Sequence, residues 1–411
     1  MLNISNILRS KVFANYSHMT ISQVSSIVVS LTVYPIVIRA LGADVYGVYV
    51  FGLAIMSYLN VFIDFGMSTP LVKSFVDCKG DSASENRLFS AVCATKLTIY
   101  IGMYLLLVGA VAFVPLLREN GAVYLLIVLQ GLSEVISFQW VYHAKQKMHV
   151  VTYATVGGRL LTIPFILLYV NDSSDLMLFV MFNAIFLNLG SLVVLFHLFF
   201  VERFRLVRFT CADVRQIFRD SLPFLSSDVI GSLRNEVAVL FLGAFVGMRE
   251  IAIYDLANKV VSIPRTFIMN VNKALYPDVI STNKYDVRRL IRYEYLLGLI
   301  VIGGVALVSY WAVLLLGGES MTEAYGVSVV LSVSILTWLV VGAYLNFVFV
   351  PTRNYKLVTI KQMVAVGGFV VLCVPLVWMF GNVYAFAISF VASELLEMLY
   401  CHYIARRKGL L

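Results

Sequence analysis

The chain has 411 residues, of which 60% are apolar and only 13% charged, with a formal net charge of +8. A soluble globular chain averages roughly 25% charged residues, so this balance excludes a surface coated for water. The apolar residues run in blocks of about 20, long enough to cross a hydrocarbon core about 30 Å thick, and not in the ten-residue alternating segments of a membrane barrel.

In chain order, Arg9 and Lys11 lead straight into a first span near Ser17 without a small-residue cleavage site, the pattern of an uncleaved signal-anchor. Further spans begin near Val45, Phe89, Ala122, Val150 and Leu176. The longest connection, Val201 to Asp220, follows; its five arginines face Glu202, Asp213 and Asp220, and it is too short for a folded catalytic domain. Spans then begin near Leu222, Ile251, Ile291, Glu323, Gln362 and Val383. The expected fold class is an all-α integral membrane protein of about 12 transmembrane helices.

Basic residues concentrate in alternate connections, for instance Lys145 and Lys147, Arg203 to Arg219, Arg288 to Arg292, Arg353 with Lys356 and Lys361, and Arg406 to Lys408. The opposite turns hold only Arg39, Arg118 and Arg249. The positive-inside rule then places both termini in the cytoplasm and requires an even number of spans. It also accounts for the net charge without nucleic acid. Trp140, Trp311 and Trp378 fall near helix ends, where amphipathic rings favour the interface, whereas Trp338 falls mid-span. Five cysteines, none in an outer loop, argue against a disulfide framework, and five histidines without ligand spacing argue against a metal site.

The outer turn Gly42-Ala-Asp-Val-Tyr-Gly-Val-Tyr49 returns as Gly247-Met-Arg-Glu-Ile-Ala-Ile-Tyr254. With the basic connection after the sixth span, this suggests two six-helix lobes, residues 1–205 and 206–411, related by an axis along the membrane normal around a central cavity.

Charges inside spans are expensive facing lipid, roughly 2.5–3.5 kcal/mol each on insertion scales. Arg159, Arg234 and Arg265 lie near span centres and must face the interior. The eighth span carries Asp255, Asn258, Lys259, Ser262, Arg265, Thr266, Asn272 and Lys273 at three- and four-residue intervals, a continuous polar stripe. The first span has a milder stripe of Asn15, His18, Ser22, Ser25, Ser26 and Ser30, open to helix packing or cavity lining. Two readings of the charges also stay open. Arg159, Arg234, Arg265, Lys96, Lys259 and Lys273 could contact a hydrophilic ligand, as could the acids Glu134, Glu236, Asp255 and Glu394. Alternatively, acids and bases satisfy each other, as the i,i+4 spacing of Asp255 and Lys259 allows.

Pro35-Ile-Val-Ile-Arg-Ala-Leu-Gly42, Tyr46-Gly47, Tyr58-Leu59 and Asp64-Phe65-Gly66 resemble the opening signature of bacterial polysaccharide exporters of the Wzx type. The stretch from Arg234 through Ile253-Tyr254 to Ala274-Leu275-Tyr276-Pro277 resembles their seventh and eighth helices. This resemblance to O-antigen-unit flippases of the multidrug/oligosaccharidyl-lipid/polysaccharide exporter superfamily covers essentially the whole chain. It implies alternating-access transfer of an undecaprenyl-pyrophosphate-linked oligosaccharide across the bacterial inner membrane, without a cofactor. It further implies a monomer working beside a glycan polymerase and a chain-length regulator, with Arg159, Arg234 and Arg265 as cavity cations and Asp64, Glu134, Glu236, Asp255 and Glu394 as candidates, by location, for ion coupling. The competing readings are an ion-coupled small-molecule exporter of the multidrug class and a membrane glycan polymerase. Against the polymerase stand outer loops of about six residues and the lack of G-x-S-x-G, H-E-x-x-H or P-loop patterns.

Overall fold

A computed structural model describes the backbone of residues 11–78, 80–282, 287–352 and 354–410, and the side chains of all of these except 11–19, 226–227, 230–238, 269–282 and 355. Twelve long helical elements follow one another through the described residues. They are α1 (Lys11–Leu41), α2 (Ala43–Asp64, continued as Ser68–Asp77), α3 (Ser82–Phe113), α4 (Gly121–Ala144), α5 (Met148–Tyr169) and α6 (Leu176–Phe200), then α7 (Cys211–Phe245), α8 (Met248–Thr282), α9 (Val287–Gly317), α10 (Glu323–Ala343, continued as Tyr344–Phe349), α11 (Tyr355–Phe380) and α12 (Val383–Arg407). Each contains or begins beside one of the twelve expected span starts. Among the described residues, ten of them are long and apolar enough to cross a membrane, α7 and α8 not being among these ten. The other two run 35 residues each and are more polar, carrying Asp228 and Arg234, and Asp255, Lys259 and Arg265, along their length. The protein is thus an all-α integral membrane protein.

Local chemistry explains where these helices start. The side chain of Asp81 accepts from the Ala83 N–H at 3.1 Å to open α3, and Asn382 accepts from the Ala385 N–H at 2.9 Å to open α12. Asp172 and Asp175 form a reciprocal capping box before α6. Gly42 and Gly247, the paired glycines of the repeated turn, both adopt positive φ (78° and 147°), a region where a Cβ is strained. Each carbonyl then accepts the first bond of the next helix, from Tyr46 and Ile251 respectively.

The sequence reading placed the connection after α6 as far as Asp220, but the helix begins at Cys211. Thr210 and Asp213 cause the early start: the Thr210 N–H donates to Asp213 Oδ2 at 2.7 Å. The remaining segment lies along α3, where the Arg205 N–H donates to Asn86 and the Val207 N–H to Ser90, both at 2.8 Å. Phe204 is buried there against Phe89.

The chain divides into two compact units, Met1–Ser232 and Leu233–Leu411. Within the first, α5 packs on α1 and α6. Gly158 and Gly190 permit the close α5–α6 approach, since a Cβ on either would stand 2.6–2.7 Å from a facing carbonyl oxygen. Within the second, α10 packs on α8, α9 and α12, and α11 packs on α12. Large apolar side chains project outward, Leu307 at 79% and Trp378 at 86% exposure, as suits hydrocarbon surroundings.

Candidate functional site: charged groups within the helical units

In the amino-terminal unit the sequence motif Asp64-Phe65-Gly66 ends α2. Phe65 and Gly66 both adopt left-handed backbone, φ 50° and 66°. The Phe65 ring packs edge-on against Phe218 of α7 at 4.8 Å. A Cβ on Gly66 would stand 2.4 Å from the Leu225 nitrogen, so α7 approaches the turn backbone to backbone. The turn leaves Asp64 accepting from Lys96 Nζ at 2.8 Å and from Ser68 Oγ at 2.9 Å. Lys96 is only 4% exposed. Glu134 on α4 and Asp228 on α7 both lie within electrostatic reach of Asp64, and Glu134 also reaches Lys96. Lys96 therefore has two acids within reach, Asp64 through a hydrogen bond and Glu134 electrostatically, while Asp228 adds a third acid beside Asp64.

Arg159 lies on α5, partly buried, and forms no hydrogen bond or ion pair with another described residue. It stands beside Gly158, whose missing side chain admits α6. A guanidinium so placed is available to an anionic group that arrives. The structure does not join it to Glu134, one of the partners the sequence left open, because Glu134 faces Lys96.

In the carboxy-terminal unit the Asp255–Lys259 pair forms as the i,i+4 spacing foresaw. Further along α8, Arg265 stacks over Trp338 of α10, 4.7 Å from the ring centroid. Trp338 donates from Nε1 to Glu394 Oε1, and Thr337 donates to Glu394 Oε2 at 2.8 Å. Trp338, out of place as an interfacial ring, is instead the link between a cation and a fully buried acid. Arg234, Glu236 and Lys273 lie outside the described side chains.

Sequence reasoning passed over several groups. Asp228 lies in the first half of the span expected from Leu222 and was open to the same rule as the others. Lys361 was read as a loop residue, yet it is 6% exposed and donates to Glu397 at 2.7 Å. Glu294 is 3% exposed with neither carboxylate oxygen hydrogen-bonded within the described structure. Two tyrosine–histidine pairs, Tyr142 with His197 at 3.0 Å and Tyr344 with His402 at 2.6 Å, join residues 55 and 58 apart and leave no local signal. Outside the spans, Glu202 receives Lys145 at 2.8 Å and Lys147 at 2.6 Å. Burial acts to raise its carboxyl, but the two ammonium groups outweigh it and hold the carboxyl below its ordinary range. Among the described residues no three His, Cys, Asp or Glu side chains gather as metal ligands.

A family model described as polysaccharide biosynthesis protein matches residues 12–284, about two thirds of the chain. The chain belongs to that family. Family membership bears out the resemblance carried by the Leu41-Gly42 and Asp64-Phe65-Gly66 motifs. A relative from Escherichia coli (strain K12), named "Putative O-antigen transporter", is 25% identical over 398 residues, 93% of this chain and 94% of the relative. Among solved structures, the lipid II flippase MurJ in an inward closed conformation superposes with a TM-score of 0.71 at 12% identity, covering 94% of this chain and 87% of that one. An inward-facing multidrug resistance MATE family transporter of the MOP superfamily superposes at 0.64 and 14% identity, covering 95% and 94%. At these identities the structures speak for a shared fold.

Proposed function

We propose that this family member is a flippase. It moves an undecaprenyl-pyrophosphate-linked oligosaccharide from the inner to the outer leaflet of the bacterial cytoplasmic membrane, by alternating access and without covalent chemistry. The observation that carries the reading is near end-to-end similarity to a relative named as an O-antigen transporter, in a family named for polysaccharide biosynthesis. The physical problem agrees with it. A pyrophosphate and a hydrated glycan cannot cross about 30 Å of hydrocarbon unaided, whereas a prenyl chain can stay in lipid. A polar route lined by intramembrane cations is what such a cargo needs.

In this reading two lobes, residues 1–205 and 206–411, alternate access to a central cavity, both termini are cytoplasmic, and the monomer is the working unit. A glycan polymerase and a chain-length regulator take up the product. Arg159 and Arg265 receive the anionic part of the cargo, with Arg234, Lys259 and Lys273 contributing by position. Lys96 balances the acids Asp64, Glu134 and Asp228, where cation or proton exchange drives the cycle. Glu236, Asp255 and Glu394 are the corresponding acids of the second lobe.

Loss of the gene in its own host tests the proposal. Lipid-linked oligosaccharide should accumulate on the cytoplasmic leaflet while polymerised surface polysaccharide disappears; unchanged surface polysaccharide would overturn it. Arg159→Ala should reduce export more than Arg159→Lys at equal membrane levels. A second reading, export of small organic cations, draws support from the MATE-like fold. It requires the deletion strain to gain sensitivity to cationic drugs while keeping its surface glycan.

A further inference from the structure

The two units carry the same side-chain pair at matching places. In the first, Tyr142 near the end of α4 meets His197 Nδ1 on α6. In the second, Tyr344 at the end of α10 meets His402 Nδ1 on α12. The offset of 205 that carries Gly42 to Gly247 also carries His197 to His402. The helices bearing the tyrosines are irregular at this end in both units. α4 breaks at Phe138 (φ 41°), and α10 passes into a π-helix over Tyr344–Phe349.

What surrounds the pairs differs. Beside Tyr142 and His197, the cations Lys145 and Lys147 are neutralised by the chain's own Glu202. The same offset of 205 carries Glu202 to Arg407, so the second unit has a cation where the first has its carboxylate. Beside Tyr344 and His402 lies an open pocket of about 630 Å³, also lined by Arg288, Arg292, Tyr295 and Arg406. Among the described residues lining it there are three arginines and no carboxylate. Arg292 and Arg406 are exposed, and Arg406 lies within electrostatic reach of both Tyr344 and His402.

The geometry points to this pocket, between the start of α9, the end of α10 and the end of α12, as a binding site for the phosphodiester of an anionic membrane phospholipid. The lipid phosphate takes the place that Glu202 fills in the first unit. Guanidinium forks match phosphate oxygens in pairs, and the Tyr295 hydroxyl adds a neutral donor beside them. A membrane lipid fits better than a soluble anion because the pocket opens where three spans end. Headgroups lie at that level, and basic pockets between helices on the cytoplasmic side collect anionic lipid. None of the residues assigned above to the cargo lines this pocket.

The test uses the full-length protein in phosphatidylcholine vesicles containing a small fraction of spin-labelled phosphatidylglycerol, reading the immobilised fraction. Wild type should enrich phosphatidylglycerol over labelled phosphatidylcholine. Arg292→Gln and Arg406→Gln should each weaken that preference roughly fivefold, whereas Arg292→Lys should keep most of it. Lys408→Gln removes an exposed cation at the same end that does not line the pocket, and should leave the preference unchanged. An equal loss in that control would mean diffuse surface attraction and overturn the proposal, as would unaltered binding in the pocket variants. Displacement of the labelled lipid by millimolar inorganic phosphate would assign the site to a soluble anion and overturn the lipid reading.

Discussion

The ring of Tyr254 meets that of Phe386 edge-on, centroids 5.0 Å apart and planes at 89°. Tyr49 meets Phe179 in the same manner, at 4.8 Å and 68°. Tyr49 and Tyr254 close the repeated outer turn, and Phe179 and Phe386 are each the fourth residue of α6 and α12. The repeat visible in eight residues of sequence therefore extends to tertiary packing, with the second helix of each six held to the start of the sixth.

The two contacts predict losses of the same sign and unequal size. Phe179→Leu removes the ring of one aromatic pair, which contributes about 0.5–1.5 kcal/mol beyond its area, whereas Phe386 also meets Phe369 at 5.6 Å, so that Phe386→Leu removes two such pairs. Both should lower the thermal unfolding midpoint in detergent without loss of membrane insertion, Phe386→Leu by more. A fall for Phe179→Leu with none for Phe386→Leu would show that the repeated contact does not hold the second unit.

The Asp64–Lys96 pair should be asymmetric to mutation. Lys96 is 4% exposed and Asp64 22% exposed. Asp64→Asn removes the only acid hydrogen-bonded to the buried ammonium among the described residues, leaving Glu134 within electrostatic reach, a loss of up to about 3–5 kcal/mol. Lys96→Met leaves a carboxylate that is less buried and keeps its bond from Ser68, and should cost less. Combining the two substitutions should recover part of the Asp64→Asn loss, read as unfolding midpoint and membrane abundance. Additive losses in the double variant would mean that the pair is not coupled.

Gly66→Ala should destabilise by about 2–4 kcal/mol, from left-handed backbone together with forced overpacking. The new methyl would stand 2.4 Å from the Leu225 nitrogen, and backbone cannot swing aside as a side chain can. Gly367→Ala is the comparison, since a Cβ there meets nothing within 4 Å. Equal unfolding midpoints for the two variants would refute the close approach of α7.

The spans were legible because hydropathy is a local property that a bilayer enforces. Asp255–Lys259 was legible because one helical turn brings i and i+4 together. Asp64 and Lys96 are 32 residues apart on different helices, and nothing in either neighbourhood names the partner. Trp338 looked like a misplaced interfacial ring because its hydrogen bond to Glu394 and its stacking under Arg265 depend on how α8, α10 and α12 pack. Lys361 looked solvated because it begins a span, yet the packing of α11 on α12 buries it against Glu397. Charge inside the membrane was readable; its pairing was set by tertiary structure.

Glu202 gives a pH prediction. Its carboxyl is held below the ordinary range because Lys145 and Lys147 outweigh the effect of burial. A carboxylate whose folded pKa is depressed contributes stability that is fully present above its unfolded pKa, about 4.3, and is lost as pH falls through the folded value. The unfolding midpoint of the wild type should therefore hold its Glu202 contribution at neutral pH and lose it below about pH 4. Glu202→Gln removes that contribution at every pH. The difference between wild type and Glu202→Gln should accordingly be largest near neutrality and shrink on acidification. A difference that stayed constant down to about pH 3 would mean that the two lysines do not stabilise the charged form.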